Sequence, residues 1–203
     1  MHEIFGGDQG ETLALDEYWA DFNKRFWQTT APGFWKLERQ QHFQEPNDES
    51  WRAFAAGDWD EAMRIVEGQR AELTEYYCRA AEQGFASKRV RIVEKPIVPY
   101  LQWELHVLRL RHECGGLTRV IGPDQVASFE AGGPLPEIYT LGLDLMYEAV
   151  YDAGGTLAAA RRFTDRDLIA RCQRLIEDLY QLGEPLDEFF TREVATLEPP
   201  SGT

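Results

Sequence analysis

The sequence predicts an α/β fold, with α+β still open beside it. Three observations point there. Helical spacing of apolar residues dominates the stretch before residue 85. An alternating run rich in valine and isoleucine then begins at Lys88. Strand, helix and strand patterns follow one another within about 33 residues, the size of a βαβ unit. The expected molecule has a helical N-terminal half, a small mixed β-sheet with a βαβ unit and a β-hairpin, and a C-terminal covering helix.

Each element has its own justification. Gly6, Gly7 and Gly10 make residues 1–12 a mobile arm in this reading. Leu15, Tyr18, Trp19, Phe22 and Phe26 follow helical steps and predict an amphipathic helix over 14–27, ended by Pro32-Gly33. Phe34-Trp35-Lys36-Leu37-Glu38 is short and suits an extended run. Pro46-Asn47-Asp48 opens a short helix holding Trp51 and Phe54, which Gly57 stops. Asp58 then caps one long helix whose apolar face runs from Trp59 to Ala80, with Gly84 at its end.

Lys88 to Val93 alternates as a strand does, and Pro96 and Pro99 close it. Residues 100–113 form a helix with Tyr100, Trp103, Val107 and Leu110 on one side, ended by Gly115-Gly116. Residues 117–121 are a second strand, expected to be parallel to the first with a right-handed crossover. One or two helical turns follow at 124–131. Strands at 138–141 and 145–151 precede the turn Asp152-Ala153-Gly154-Gly155 and a hairpin partner at 156–163. Thr164 and Asp167 resemble a capping box for a helix carrying Leu168, Ile169, Cys172, Leu175, Ile176 and Leu179, which ends near Gly183. A short helix over 185–192 completes the pattern. The expected division is an aromatic-rich helix and arm at 1–45, a single α/β domain at 46–192 and a flexible tail at 193–203.

The chain has 203 residues, of which 43% are hydrophobic and 12% aromatic, which excludes a disordered polypeptide. No window is apolar enough to span a membrane, and Met1-His2-Glu3 lacks the start of a signal peptide. Cys78, Cys114 and Cys172 are odd in number and widely spaced, so a disulfide framework is not expected and a reducing cytoplasm is the simplest home.

The net charge of −14 is unevenly spread. Residues 1–87 and 120–203 each carry −9, whereas residues 88–119 carry +4 from Lys88, Arg89, Arg91, Lys95, Arg109, Arg111 and Arg119. An acidic protein is repelled by a phosphate backbone, so direct nucleic-acid binding is not expected. The basic strip either pairs with surplus carboxylates or holds an anion or an acidic partner.

No Walker loop, G-x-G-x-x-G, G-x-S-x-G or H-E-x-x-H occurs. His2, His42, His106 and His112 lack metal-ligand spacing, and no cofactor or metal is expected. Cys114 sits near Arg109, Arg111 and His112 but at a helix C-terminus, where the dipole disfavours a thiolate.

The most suggestive set is Arg89, Arg91, Tyr100, Glu104, Arg119 and Asp144. Arg89 and Arg91 share a strand face, Tyr100 and Glu104 share a helix face, and Arg119 would join them from a parallel neighbour. Such a group can bind a carboxylate or phosphate. It can equally form a structural network of Arg–Glu and Arg–Asp pairs, the first reading here.

The stretch from Arg89-Val90-Arg91-Ile92-Val93 through Pro96 to Tyr100 and Glu104 resembles the core motif of an actinobacterial family, the domain of unknown function 6879. Phe34-Trp35-Lys36-Leu37-Glu38, Gly115 to Arg119, and Leu143-Asp144 through Tyr151-Asp152 resemble three further motifs of that family. They depart from it in having Lys36 where Arg is usual, and in lacking an acidic residue after Gly115. The resemblance covers roughly 34–182. Genes of this family often lie beside helix-turn-helix regulators, which implies an accessory or regulatory role. The strand order is also similar to phospholipase-D-like half-domains, but the H-x-K of those enzymes is absent: Val107-Leu108 follow His106, and Glu113-Cys114 follow His112.

Two functions are expected from these readings. The first is a non-enzymatic accessory or regulatory protein acting through a protein partner, a DNA-binding regulator being the partner the resemblance implies. The alternative is a small-molecule-binding protein or enzyme of specialised metabolism, with Glu104 as general base and the arginines holding an anion.

Overall fold

The computed structural model describes residues 3–200. The first residues of the expected mobile arm, His2 among them, and the last residues of the expected tail lie outside the described residues. Eight strands form one mixed sheet: β1 (Glu11–Ala14), β2 (Phe34–Glu38), β3 (Ser87–Ile92), β4 (Leu117–Ile121), β5 (Ile138–Leu141), β6 (Leu145–Tyr151), β7 (Leu157–Phe163) and β8 (Glu184–Pro185). Their spatial order is β1-β7-β6-β5-β2-β3-β4-β8. β2, β3 and β4 run parallel to one another, and every other pairing between these strands is antiparallel. The fold is therefore α/β.

Eight α-helices lie among the described residues: α1 (Leu15–Phe26), α2 (Glu49–Ala55), α3 (Trp59–Gly68), α4 (Arg70–Glu82), α5 (Pro99–Glu113), α6 (Pro123–Val126), α7 (Arg166–Leu182) and α8 (Leu186–Glu193). α7 covers one sheet face. Its Leu168, Ile169, Cys172, Ile176 and Leu179 meet Leu37, Val90, Ile92 and Met146. On the other face, α1 packs Tyr18 and Phe26 against Tyr139, Tyr147 and Phe34. α5 and α8 pack Leu101, Leu105, Leu186 and Phe190 against Val93 and Val120. The βαβ unit β3-α5-β4 forms as the alternation and the helical spacing predicted.

Several local expectations are corrected. The region 1–12 is not a mobile arm throughout. Phe5 is buried and stacks on Phe163 at 5.1 Å between ring centroids, and Glu11–Ala14 pairs with β7. Burying that ring outweighs the backbone freedom of the neighbouring glycines. The extended run expected at Phe34–Glu38 is β2, and it sits in the middle of the sheet.

The single helix expected from Asp58 to Gly84 is two. Gly68 ends α3, and Gln69 begins α4 with its carbonyl accepting from Leu73 N. The break lets the helices serve different cores: Ala62 packs with the α5 cluster and Ala80 with the α1 cluster. The α7 cap is Asp165 rather than Thr164. Its Oδ1 accepts from Asp167 N and Leu168 N, both at 2.9 Å. A carboxylate also complements the helix dipole there, where Thr cannot. Part of the expected flexible tail is anchored, for Val194 is buried and Gln102 Nε2 donates to the Glu198 carbonyl at 2.9 Å.

One glycine admits no substitute in the turn before β2. Gly33 has φ +109°, and a Cβ there would lie 2.7 Å from the Ala86 carbonyl oxygen. This close approach brings Phe34 into register with Ser87.

Candidate functional site

Most of the chemistry-bearing residues meet on the α1/α5 face of the sheet, near the carboxyl ends of β2 and β3. The geometry begins with strand periodicity. Trp35 and Leu37 of β2 face α7, so Lys36 and Glu38 face the other way; Val90 and Ile92 likewise turn Arg89 and Arg91 to that same face. Parallel pairing then sets Glu38 opposite Arg91 and Lys36 opposite Arg89. The Pro99 start of α5 brings Tyr100 and Glu104 over them, one helical turn apart.

The resulting contacts are ionic and buried. Arg91 is fully buried. Its Nε donates to Glu104 Oε2 at 2.8 Å, and its Nη1 donates to the carbonyls of Ile92 and Glu38 at 3.2 and 3.3 Å. Glu38 is held by Arg89 Nη1 and Lys36 Nζ, each at 2.5 Å. The Tyr100 hydroxyl donates to Glu45 Oε1 at 2.5 Å. Glu137 Oε1 accepts from the backbone N–H groups of Arg39 and Gln40 at 2.8 and 2.6 Å. Arg39 in turn pairs with Glu94 and Glu130.

Electrostatics separates these carboxyls. Burial alone would raise Glu38, but the charges of Arg89, Lys36 and Arg91 hold it well below the usual carboxylate range. Burial pushes Glu104 upward, reinforced by Glu38 and Glu45 and opposed by Arg91. Burial also raises Glu45, and it pushes Glu137 up to about 7. Tyr100 lies well above its ordinary value through burial and the carboxylates of Glu104 and Glu45. Two buried atoms of opposite polarity, Arg91 Nη2 and Glu137 Oε2, have no hydrogen-bond partner.

Four of the six sequence-predicted residues thus come together: Arg89, Arg91, Tyr100 and Glu104. Arg119 does not join them. Its register partner is Val90, so it faces α7, where it donates to the Gly183 carbonyl at 2.9 Å and lies over the Tyr180 ring. The expectation placed it on the wrong face because β4 is offset by one residue from the alternation assumed. Asp144 is also elsewhere, exposed in the β5–β6 turn and paired with Arg166.

Sequence reasoning missed Lys36, Glu38, Glu45 and Glu137. Two charges at i and i+2 inside the aromatic run 34–38 were a usable signal for the first pair. Glu45 and Glu137 lie in connections without periodicity and left none.

A separate cleft of about 430 Å³ lies between α3 and α5, over Met63, Val66 and Leu110. Its rim arginines are tied to glutamates: Arg70 to Glu67 and Glu113, and Arg109 to Glu113. His106 stands edge-on to Trp59 and Phe190, and burial together with Arg109 lowers it to about 4. Among the described residues, no group of histidine, cysteine or acidic side chains is placed to hold a metal ion, and no helix is long and apolar enough to cross a membrane.

No curated protein and no solved structure matches the chain. A family model does, over residues 20–191, a wider span than the motifs around Arg89–Glu104 alone would delimit. With the motif residues of β2, β3 and α5 gathered in one buried cluster inside that span, the chain belongs to the family described as a domain of unknown function, DUF6879.

Proposed function

We propose that this is a non-enzymatic accessory or regulatory protein that works in a reducing cytoplasm through a protein partner. One observation carries the reading. The residues best suited to chemistry are spent on internal partners, Arg91 on Glu104, Arg89 on Glu38 and Tyr100 on Glu45. A general base tied to a buried guanidinium is poorly placed to take a substrate proton. Buried pairs of this kind hold helix to sheet and specify one packing. Following the family resemblance, the partner we favour is a helix-turn-helix regulator, in which case this protein modulates a DNA-binder without touching DNA.

Affinity capture of the full chain from its native host tests the reading. A partner retained in stoichiometric amount and identified by mass spectrometry is the expected result; recovery of none would overturn it.

A second reading rests on the two unpartnered atoms. Arg91 Nη2 and Glu137 Oε2 offer a buried donor and a buried acceptor in one cluster, which a small polar ligand could bridge. Native mass spectrometry of protein purified from its host decides this. Added mass on the 23.3 kDa chain, lost in Glu137→Gln, would favour ligand binding, and a bare chain would dismiss it.

A further inference from the structure

The basic strip at 88–119 is only partly absorbed by the buried cluster. Arg89 and Arg91 are spent there, Lys95 pairs with Glu193, and Arg109 pairs with Glu113. Arg111, in the last turn of α5, lies on the sheet face opposite α7, where its charge acts on Tyr76. Lys88 and Arg119 differ. Strand alternation turns both to the α7 face, where they flank one ring: Lys88 Nζ is 5.8 Å and Arg119 Cζ 5.1 Å from the Tyr180 centroid. Lys88 also sits 4.3 Å from the Trp35 ring.

In a chain with 35 carboxylates, neither cation forms an ion pair among the described residues. Ring faces and the Gly183 carbonyl attract these charges but leave them unneutralised. Exposed apolar side chains border the pair. Leu117, 37% exposed, is the register partner of Lys88, and Leu182, 50% exposed, immediately precedes Gly183.

We propose that Lys88, Tyr180 and Arg119, with Leu117 beside them, form the docking surface for an acidic segment of the partner protein that carries a leucine or phenylalanine. The inference rests on the partner reading above and adds its location and chemistry. Charge complementarity selects the occupant. Two uncompensated cations recognise carboxylates, and Tyr180 and Arg119 are of the residue types that carry binding energy at interfaces, with Leu117 adding apolar area. A second copy of this chain is disfavoured, because two bodies of net charge −14 repel each other. The segment is therefore locally acidic on a protein that is not itself strongly acidic.

The test places the photo-cross-linker p-benzoylphenylalanine at position 117 of the full chain, and at Glu72 on α4 as a control. Both proteins are irradiated in native-host lysate, and the joined peptides are mapped by mass spectrometry. The expected result is a cross-link from position 117 to a peptide of another protein with clustered Asp or Glu beside a leucine or phenylalanine. Lys88→Glu should lower its yield by about tenfold or more, and Lys88→Arg should preserve it. Lys88→Gln replaces the reversal if that variant melts early.

A cross-linked peptide without acidic residues, a yield indifferent to Lys88→Glu, or a cross-link to a second copy each overturns the docking surface. Partner capture through position 72 but not 117 sinks this inference alone. No capture at either position sinks the partner reading with it.

Discussion

Arg91 and Glu104 are 13 residues apart in sequence, yet their side chains meet at 2.8 Å with the guanidinium fully buried. The pair bolts α5 to the middle of the sheet. It is also the point at which the two functional readings part, since a catalytic Glu104 would need to be free of it.

Removing one partner leaves the other charged, buried and unpaired. Arg91→Ala is expected to cost about 3–5 kcal/mol in urea denaturation. Replacing both together, Arg91→Met with Glu104→Leu, should recover most of that loss. Arg89→Ala should cost less than Arg91→Ala, because Glu38 keeps Lys36 at 2.5 Å. Arg119→Ala, losing a ring contact and one carbonyl bond, should cost about 1 kcal/mol. Equal losses at Arg91 and Arg119 would refute the network described here.

Two groups contribute to the pH dependence with opposite signs. Glu137 has its folded pKa raised to about 7, so between the unfolded value near 4.5 and about 7 the folded state binds more protons. Stability therefore falls as pH rises through that window, by roughly 3 kcal/mol at most. His106 is lowered to about 4, so between there and 6.5 the unfolded state binds more protons and stability rises with pH. The two oppose each other between about 4.5 and 6.5. In Glu137→Gln the falling contribution of Glu137 is removed, so denaturation midpoints should rise relative to wild type as pH increases across that window. A variant curve parallel to wild type would show that Glu137 does not titrate there.

The N-terminal segment is part of the folded unit. Phe5→Ala should destabilise by about 3–5 kcal/mol, the usual cost of emptying a buried phenylalanine site. Thermal melting of that variant beside Gly7→Ala, where an added Cβ meets no atom within 4 Å, separates ring burial from backbone effects. The Gly7 change carries only the strain of φ +89°. Equal melting points for Phe5→Ala and wild type would return residues 1–12 to the status of a loose arm.

Direct DNA binding is not expected. Four of the seven cations in the basic strip are neutralised internally, and the apolar side of α5 is buried against β4 and α8. A mobility-shift assay at low salt, with genomic fragments from around the protein's own gene, should show no retarded band. A band surviving competitor DNA would contradict this.

Sequence alone determined the local elements with clear periodicity. The alternation from Lys88 to Val93 gave β3, the helical spacing from Tyr100 to Leu110 gave α5, and the Asp152–Gly155 turn gave the β6–β7 hairpin. It also determined that Arg89 and Arg91 share a face, because strand geometry leaves no choice. Which carboxylates they meet was decided only by tertiary structure. Glu38 reaches Arg89 through pairing of strands about 50 residues apart, and Glu45 and Glu137 arrive from connections with no periodic signal. Arg119 shows the same limit from the other side. Its residue type suited the cluster, but a one-residue register offset turned it to α7. Periodicity is a local property of the chain. Register and crossover packing arise from contacts distant in sequence, and in this protein they decide which carboxylates the arginines of the strip meet and which cations stay unpaired.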